Sequence, residues 1–264
     1  MRVICGVIYL LVMSMAYGDS GGQQEELQSE PLARVFQAEG VVGTLVVASA
    51  DGEVLHVHNA ERAETRFSPA STFKIPNTLI ALDAGVVTSK ATTFTWDRSD
   101  KGLPAWNRDQ TLESAFKVSC VWCYQEIARS IGSERYKTAL AGIEYGNQKL
   151  GDHVDQFWLN DDLQISAHEQ IAFLRKLMDY SLPYRREHVD IVKDIMLAER
   201  TADYSLYAKT GWTGAKLGVG WYVGYVEKGE NVWLFAMNMR MDRAEQAALR
   251  KELTTRSLRA LGIL

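Results

Sequence analysis

The chain contains 264 residues, of which 47% are hydrophobic and 23% charged, with 20 glycines and 5 prolines. This composition is typical of a globular protein and excludes collagen-like and broadly disordered chains. The formal net charge is −4 and no segment carries a basic run, so we predict that neither nucleic acid nor an anionic membrane surface is a partner.

Residues 1–18 have the pattern of a cleaved signal peptide. Arg2 supplies a cationic start, an apolar stretch follows at residues 3–17, and the small residues Ala16 and Gly18 suit cleavage before Asp19. The apolar stretch is too short to cross a bilayer as a helix. From this pattern we predict export to the periplasm and a mature chain without a membrane anchor. The alternative interpretation of the same residues is a buried N-terminal helix.

After a polar stretch, the elements begin with a short amphipathic helix from Pro31 to Phe36. A hairpin follows, in which the strands Gly43–Ser49 and Glu53–His58 flank the turn Ala50-Asp51-Gly52. Helical periodicity then dominates, with predicted helices at residues 72–84, 121–131, 134–140 and 171–180. The last of these helices is preceded by a capping box, Ser166-Ala167-His168-Glu169.

Strand patterns return in the C-terminal part of the chain, at residues 206–209, 220–227 and 232–240, and an amphipathic helix closes it at 243–261. Strands at both ends with helices between them predict an α/β fold of the α+β type, an antiparallel sheet flanked by helices with a helical lobe inserted. We assign residues 19–264 to a single domain, with an α/β lobe at about 31–66 and 200–264 and a helical lobe at about 67–199.

Two cysteines remain after the predicted cleavage, Cys120 and Cys123, in a C-x-x-C spacing. Three interpretations compete: two buried packing thiols, a disulfide formed in an oxidising periplasm, and a redox motif. A zinc site would need further ligands at suitable spacing, and the five histidines form no such cluster. We favour buried packing thiols and predict no metal site.

Ser71-Thr72-Phe73-Lys74 stands where a largely apolar helix is predicted to begin. Helical residues three apart share a face, so the Ser71 hydroxyl and the Lys74 amine can meet. The apolar helix predicts that Lys74 is desolvated, which would allow the neutral amine to act as a base or to add carbon dioxide. The alternative is a lysine that extends to the surface.

The same spacing recurs in Ser114-Ala115-Phe116-Lys117, near a predicted helix end. Two further elements favour the first tetrad as the functional one. Ser119-Cys120-Val121 places a hydroxyl at a turn between helices, and Lys209-Thr210-Gly211 places a cation and a hydroxyl at the end of a strand. Ser-x-x-Lys, a second serine-containing element and Lys-Thr-Gly together form the signature of β-lactamases and penicillin-binding proteins.

Over nearly the whole mature chain, the sequence resembles the class D β-lactamases, the serine oxacillinases. Tyr145-Gly146-Asn147 stands where class A enzymes have Ser-Asp-Asn. The resemblance implies the serine β-lactamase and penicillin-binding transpeptidase fold, hydrolysis of β-lactam antibiotics of the penicillin and oxacillin type, and antibiotic resistance. The segments that carry it are Pro69–Asn77, Ser119–Val121, Tyr145–Asn147, Gln156–Leu159, Lys209–Gly211 and Gly220–Gly224.

The resemblance also implies catalytic roles. Ser71 would attack the lactam carbonyl and form an acyl-enzyme, and Lys74, N-carboxylated to N6-carboxylysine, would be the general base for both steps. The indole N–H of Trp158 would hold the carbamate. Ser119 would relay a proton to the departing nitrogen, with Lys209 as the orienting cation.

Substrate binding is implied for a second set of residues. Thr210 and Arg250 would bind the substrate carboxylate, and the backbone amides of Ser71 and Trp212 would form the oxyanion hole. Gly211 would allow close approach of the substrate. Val121 and Leu159 would keep the site dry.

Each of these roles has a plainer alternative. Trp158 and Trp212 could serve only as core packing, Arg250 could lie on a solvated helix face, and Tyr145 and Asn147 could simply end a helix.

We expect a β-lactam as the small-molecule partner, a monomer or homodimer, and no cofactor besides the carbon dioxide or bicarbonate that carboxylates Lys74. The alternative function is a non-hydrolysing penicillin sensor or transpeptidase domain of the same fold. A C-x-x-C oxidoreductase or a simple binding module would leave the agreeing motifs unexplained.

Overall fold

The structure is a computed structural model that describes residues 27–214 and 216–264. The predicted signal peptide, residues 1–18, lies outside the described residues. Within them, no helix has both the length and the apolar character needed to span a bilayer.

The described residues form nine α-helices and three short 3₁₀ helices. The 3₁₀ helices are Ala70–Phe73, Pro104–Trp106 and Ala244–Ala248. The α-helices are α1 (Glu30–Glu39), α2 (Ala60–Glu64), α3 (Lys74–Asp83), α4 (Leu112–Lys117), α5 (Val121–Ile131), α6 (Ser133–Ile143), α7 (Ala167–Met178), α8 (Arg186–Met196) and α9 (Leu249–Ala260).

A seven-stranded sheet runs through the protein, and a two-stranded sheet accompanies it. The large sheet has the order β1-β3-β2-β9-β8-β7-β6, antiparallel except for the β1–β3 pair. Its strands are β1 (Leu27–Gln28), β2 (Gly43–Ser49), β3 (Leu55–His58), β6 (Leu197–Arg200), β7 (Ser205–Trp212), β8 (Val219–Lys228) and β9 (Asn231–Arg240). The small sheet pairs β4 (Thr93–Phe94) with β5 (Gln110–Thr111).

The predicted α+β architecture is confirmed, since strands from both ends of the chain meet in one antiparallel sheet. The β2–β3 and β8–β9 hairpins form as the turn signals predict. The capping box before α7 is also present, with the Ser166 hydroxyl accepting from the Glu169 amide and the Glu169 carboxylate accepting from the Ser166 amide. These are the elements whose signals lie within a few neighbouring residues.

The sheet carries a hydrophobic layer on each face. Alternation along β2 directs Val46 and Ala48 to the larger core, which contains the inserted helices, and Leu45 and Val47 to the smaller core under α1 and α9. Helix α7 packs on β2 and β9, so one helix of the predicted helical lobe lies directly on the sheet.

The region that positions the site differs from its prediction in one respect. The single helix expected at residues 72–84 is divided into the 3₁₀ helix Ala70–Phe73 and helix α3. Ala70 has a φ of 47°, in the left-handed region that residues with a Cβ seldom adopt. The chain therefore enters the helix through a sharp turn, and Ser71 lies within that turn.

Candidate active site

Ser71 and Lys74 meet as the spacing predicts. Ser71 lies in the 3₁₀ helix and is 8% exposed, whereas Lys74 is the first residue of α3 and is 1% exposed. The Lys74 Nζ donates to the Ser71 Oγ at 3.3 Å. The hydroxyl is thus within reach of an amine that could accept its proton.

The surroundings of Lys74 favour its neutral form. Burial lowers the pKa of Lys74 to about 7, because a low-dielectric interior disfavours the ammonium ion. The ring of Tyr124 lies 4.7 Å from Nζ, and no ion pair among the described residues includes Lys74. The interpretation of Lys74 as a lysine extending to the surface is therefore wrong.

The turn that holds Ser71 is braced by its neighbours. The Thr72 hydroxyl donates to the Pro69 carbonyl at 2.7 Å and accepts from the Gln170 amide at 3.0 Å. A Cβ on Gly211 would lie 2.9 Å from the Pro69 carbonyl oxygen. Gly211 therefore allows β7 to approach the turn closely, and strand and nucleophile are held at a fixed separation.

Ser119 and Lys209 form a second hydroxyl–amine pair. Lys209 Nζ donates to Ser119 Oγ at 2.6 Å and to the Thr210 carbonyl at 3.2 Å. Ser119 lies between α4 and α5, as predicted, with a φ of 57°. A non-glycine residue in this region costs conformational energy, and such strain is often found at functional sites. Burial first, and then the charges of Lys74, Arg250 and Lys251, lower the pKa of Lys209 well below its usual value.

Arg250 is not on a solvated helix face, so that interpretation is wrong. It is 9% exposed and donates from Nη1 to the Gly211 carbonyl and from Nε to the Ala247 carbonyl at 3.0 Å. A Cβ on Gly220 would lie only 2.9 Å from the Arg250 Cδ. The absence of a side chain at position 220 therefore gives Arg250 room to reach across β8 to β7, close to Thr210.

Trp158 has a buried donor without an acceptor. The residue is 0% exposed, and its indole N–H has no hydrogen-bond partner among the described residues. Trp221 is equally buried, but its N–H donates to the Ser68 carbonyl at 2.9 Å. An unpaired buried N–H costs stability, so the Trp158 N–H is a donor available to a group bound within its reach.

The remaining predicted binding residues are half-buried: Val121 at the start of α5, Leu159, Thr210 and Trp212. Leu159 packs against the larger core. The Trp212 indole donates to the Met241 carbonyl at 3.0 Å, which fixes the ring at the end of β7. The oxyanion-hole roles of the Ser71 and Trp212 amides stay a prediction.

Tyr145-Gly146-Asn147 follows α6 and braces a neighbouring loop. The Asn147 side chain donates to the Asp162 carbonyl at 2.9 Å and accepts from the Gln164 amide at 3.0 Å. A Cβ on Gly146 would overlap the Gln164 carbonyl oxygen at 2.1 Å. These contacts favour the structural role for this motif, since Asn147 holds the loop that follows Trp158.

Cys120 and Cys123 form a disulfide, so the preferred expectation of two buried packing thiols is wrong. Burial was predicted, and both residues are 0% exposed. Cys120 is the N-cap of α5 and Cys123 lies in its first turn, which brings their Cα atoms to 5.5 Å, within the usual range for a disulfide. The bond lies directly after Ser119.

Several residues of the site were not predicted. Gln170 supports Thr72, and the Tyr124 hydroxyl pairs with Thr78 at 2.8 Å while its ring covers Lys74. Both side chains come from other helices that only the fold brings near Ser71. The one local signal for Gln170 is its position, as a polar residue, on the otherwise apolar face of α7.

Comparison with known proteins gives consistent results. A family model for the penicillin-binding protein transpeptidase domain matches residues 42–259. The chain is 44% identical over 223 residues to β-lactamase OXA-48 of Klebsiella pneumoniae, with 84% of each protein covered. It is 38% identical to β-lactamase OXA-19 of Pseudomonas aeruginosa, with 87% of this chain and 88% of that protein covered.

Solved structures show the same similarity. The class D β-lactamase YbXI from Nostoc superposes with a TM-score of 0.86 at 42% identity, covering 88% of this chain and 99% of that one. The class D β-lactamase FUS-1 (OXA-85) from Fusobacterium nucleatum subsp. polymorphum superposes with a TM-score of 0.87 at 34% identity, covering 90% of this chain and 100% of that one.

Proposed function

The chain belongs to the class D β-lactamases, within the penicillin-binding protein transpeptidase family, and hydrolyses β-lactam antibiotics; we propose that it does so through an acyl-enzyme on Ser71, with N-carboxylated Lys74 as the general base. The observation that carries this proposal is the buried Ser71–Lys74 pair, with 3.3 Å between Oγ and Nζ and a Lys74 pKa of about 7. Hydrolysis of penicillins by this route would confer antibiotic resistance.

The surroundings of Lys74 fit a carbamate. Carbon dioxide adds to an amine only in its neutral form, and burial makes that form accessible near pH 7. The buried, unpaired Trp158 N–H offers a donor to an anionic oxygen. When formed, the carbamate supplies an anion that can accept a proton from the Ser71 hydroxyl and later from the deacylating water.

The charge balance of the site supports the same proposal. A cationic Lys74 is one of the groups that lower the pKa of Lys209. Lys209 has to stay cationic if it is to orient Ser119 and attract an anionic substrate. Loss of the positive charge on Lys74 removes that repulsion, so a neutral or carboxylated Lys74 favours the ammonium form of Lys209.

The remaining residues act on the substrate. Ser119, which accepts a hydrogen bond from Lys209 at 2.6 Å, would relay a proton to the lactam nitrogen as the ring opens. Thr210 follows Lys209 on β7, Arg250 donates to the Gly211 carbonyl, and both would bind the ring carboxylate. The backbone amides of Ser71 and Trp212 would stabilise the oxyanion. Residues 1–18 support export to the periplasm as the place of action.

Burst and steady-state kinetics with benzylpenicillin test the proposal. We expect a burst of acyl-enzyme followed by sustained turnover, and no acylation of the Ser71→Ala variant. A single stoichiometric acylation of Ser71 without turnover would identify a sensor instead of an enzyme. Hydrolysis by the Ser71→Ala variant at the wild-type rate would contradict the assignment of the nucleophile.

A further inference from the structure

A cavity of about 210 Å³ adjoins Lys209 and Thr210, and Ser71 is not among the residues that line it. Strand β6 pairs with β7 only as far as Tyr207, so the edge of β7 from Ala208 onward has no strand beside it among the described residues. The cavity opens along this free edge. Phe116, the end of α8 and Tyr222 also line it.

Two exposed lysines line this cavity in addition to Lys209. Lys117 is the last residue of α4, and its Nζ donates to the Leu197 carbonyl at 3.3 Å. Lys251 follows Arg250 on α9, and its charge is felt by Lys209. No carboxylate is among the described residues that line the cavity.

Two acidic residues near the cavity partly offset this positive charge. Glu199 follows the lining residue Ala198, and its charge acts on Tyr222. Glu113 lies 3.7 Å from the Lys117 Nζ in an exposed pair. Lys251 takes part in no ion pair with the described residues. The cavity therefore has a net positive lining, and Lys251 is available to an incoming anion.

The chemistry of the substrate determines which group would enter the cavity. With the lactam carbonyl at Ser71, the lactam nitrogen at Ser119 and the ring carboxylate at Thr210 and Arg250, the other ring atom bonded to the carboxylate-bearing carbon would face the free edge of β7. In a cephalosporin that atom is C3, which carries a variable substituent. A C3 substituent would therefore extend past Thr210 into the cavity.

We propose that Lys117 and Lys251 form an anion-binding subsite that makes the enzyme favour cephalosporins with a negatively charged C3 substituent. The proposal rests on the proposed function, because it takes Ser71 as the point of attack. Exposed charge pairs are weak individually, so two lysines give a preference of roughly threefold to tenfold in kcat/KM. The preference should decline with added salt, since exposed charges are screened.

The test uses two cephalosporins with the same C7 side chain, whose C3 substituents end in a carboxylate and in the matching primary amide. The readout is the ratio of their kcat/KM values, or of their inhibition constants against benzylpenicillin where turnover is slow. A ratio compares two compounds on one enzyme and is unaffected by the fraction of active protein. We expect the wild type to favour the carboxylate and the Lys117→Gln/Lys251→Gln variant to bring the ratio close to one.

Lys137→Gln is the matched control, because Lys137 is an exposed helical lysine paired with Glu134 on α6 and does not line the cavity. It should keep the wild-type ratio. Equal kcat/KM values for the two cephalosporins on the wild type, or an unchanged ratio in the double variant, would overturn the proposal. Failure to hydrolyse any of the compounds, benzylpenicillin included, would contradict the proposed function instead.

Discussion

The two Ser-x-x-Lys tetrads of this chain have the same spacing and very different surroundings. Lys74 is almost fully buried and lies 3.3 Å from Ser71, with its pKa lowered to about 7. The side chain of Lys117 is 47% exposed and pairs with Glu113. The lowered pKa means that burial disfavours the charged form of Lys74 by about 5 kcal/mol relative to the neutral form, at about 1.4 kcal/mol for each pKa unit.

The second serine has a different partner. Ser114 stands in the first turn of α4, where its hydroxyl donates to the Gln110 side chain at 2.7 Å and accepts from the Thr111 amide at 2.9 Å. It therefore caps a helix and does not contact Lys117. The comparison teaches that the spacing only makes a serine–lysine contact possible, whereas burial and the competing partners decide whether a reactive pair forms.

The largest difference is expected between two variants that each remove one serine hydroxyl, Ser71→Ala and Ser114→Ala. Ser71→Ala removes the nucleophile and should lower penicillin kcat by at least about 10³-fold. Ser114→Ala removes only a cap, so we expect nearly full activity and a loss of about 1 kcal/mol in the free energy of unfolding. Steady-state kinetics and urea denaturation measure the two effects. Comparable losses of activity in both variants would remove the distinction between the tetrads.

The second prediction concerns the unpaired indole N–H of Trp158, whose ring stacks on Phe73, the residue before Lys74. Trp158→Phe removes the unpaired N–H, and we expect kcat at low bicarbonate to fall by about 10- to 100-fold, the effect of one hydrogen bond to a charged group. Added bicarbonate should restore much of the activity.

Trp221→Phe is the control for Trp158. It also removes a buried indole N–H, but one that already donates to the Ser68 carbonyl. It should lower stability without creating a bicarbonate requirement. A bicarbonate response in both variants, or in neither, would contradict the role of Trp158.

The third prediction concerns pH. As the pH falls through the Lys74 pKa of about 7, the amine takes up a proton and cannot hold carbon dioxide. Penicillin kcat/KM should therefore fall about tenfold per pH unit below that value, and bicarbonate should offset the loss. A flat profile from pH 5.5 to 7.5 would show that Lys74 is not the titrating base.

Stability should respond to the same group with a defined sign. The folded-state pKa of Lys74, about 7, lies below the ordinary value of 10.5, so the unfolded chain binds more protons between these two pH values. Burial of Lys74 therefore costs stability in this window, and the cost falls by about 1.4 kcal/mol per pH unit as the pH rises. In buffer free of carbon dioxide, the free energy of unfolding of the wild type should increase relative to that of Lys74→Met from pH 7.5 to 9. A constant difference would contradict the burial argument.

The smallest effect is expected at the disulfide that follows the second tetrad. Replacing both cysteines by alanine opens a very short loop and should cost about 2 kcal/mol in the free energy of unfolding. Dithiothreitol should lower the midpoint temperature of the wild type and leave that of the double variant unchanged. Since both sulfurs are buried, we expect no reduction of insulin. Activity in that assay would point to a redox function.

The sequence predicts well those features whose signals are local. The hairpins β2–β3 and β8–β9, the exact span of α5 and the cap of α7 follow from turn residues, periodicity and capping within a few positions. Helix α8 was not predicted, although Val189, Val192 and Ile195 carry its apolar face. The short edge strand β6 has no comparable signal.

Local patterns do not decide the features that depend on distant parts of the chain. The Arg/Lys-rich segment of α9 left a solvated face as the alternative for Arg250, which is buried because Gly220, on another element, leaves room for it. The disulfide depended on how α5 begins, and the unpaired Trp158 N–H on what surrounds it. Such properties arise from tertiary packing, which a local pattern does not encode.

The central claim, that burial makes the Ser71–Lys74 tetrad reactive through a carboxylated lysine, is tested most directly by ¹³C nuclear magnetic resonance of the enzyme in ¹³C-bicarbonate. We predict one carbamate signal above pH 7 that is absent from Lys74→Met, persists in Lys117→Gln, and is lost and regained with activity as the pH is lowered and restored. A fully active enzyme without that signal, or a signal that survives Lys74→Met, would contradict the account.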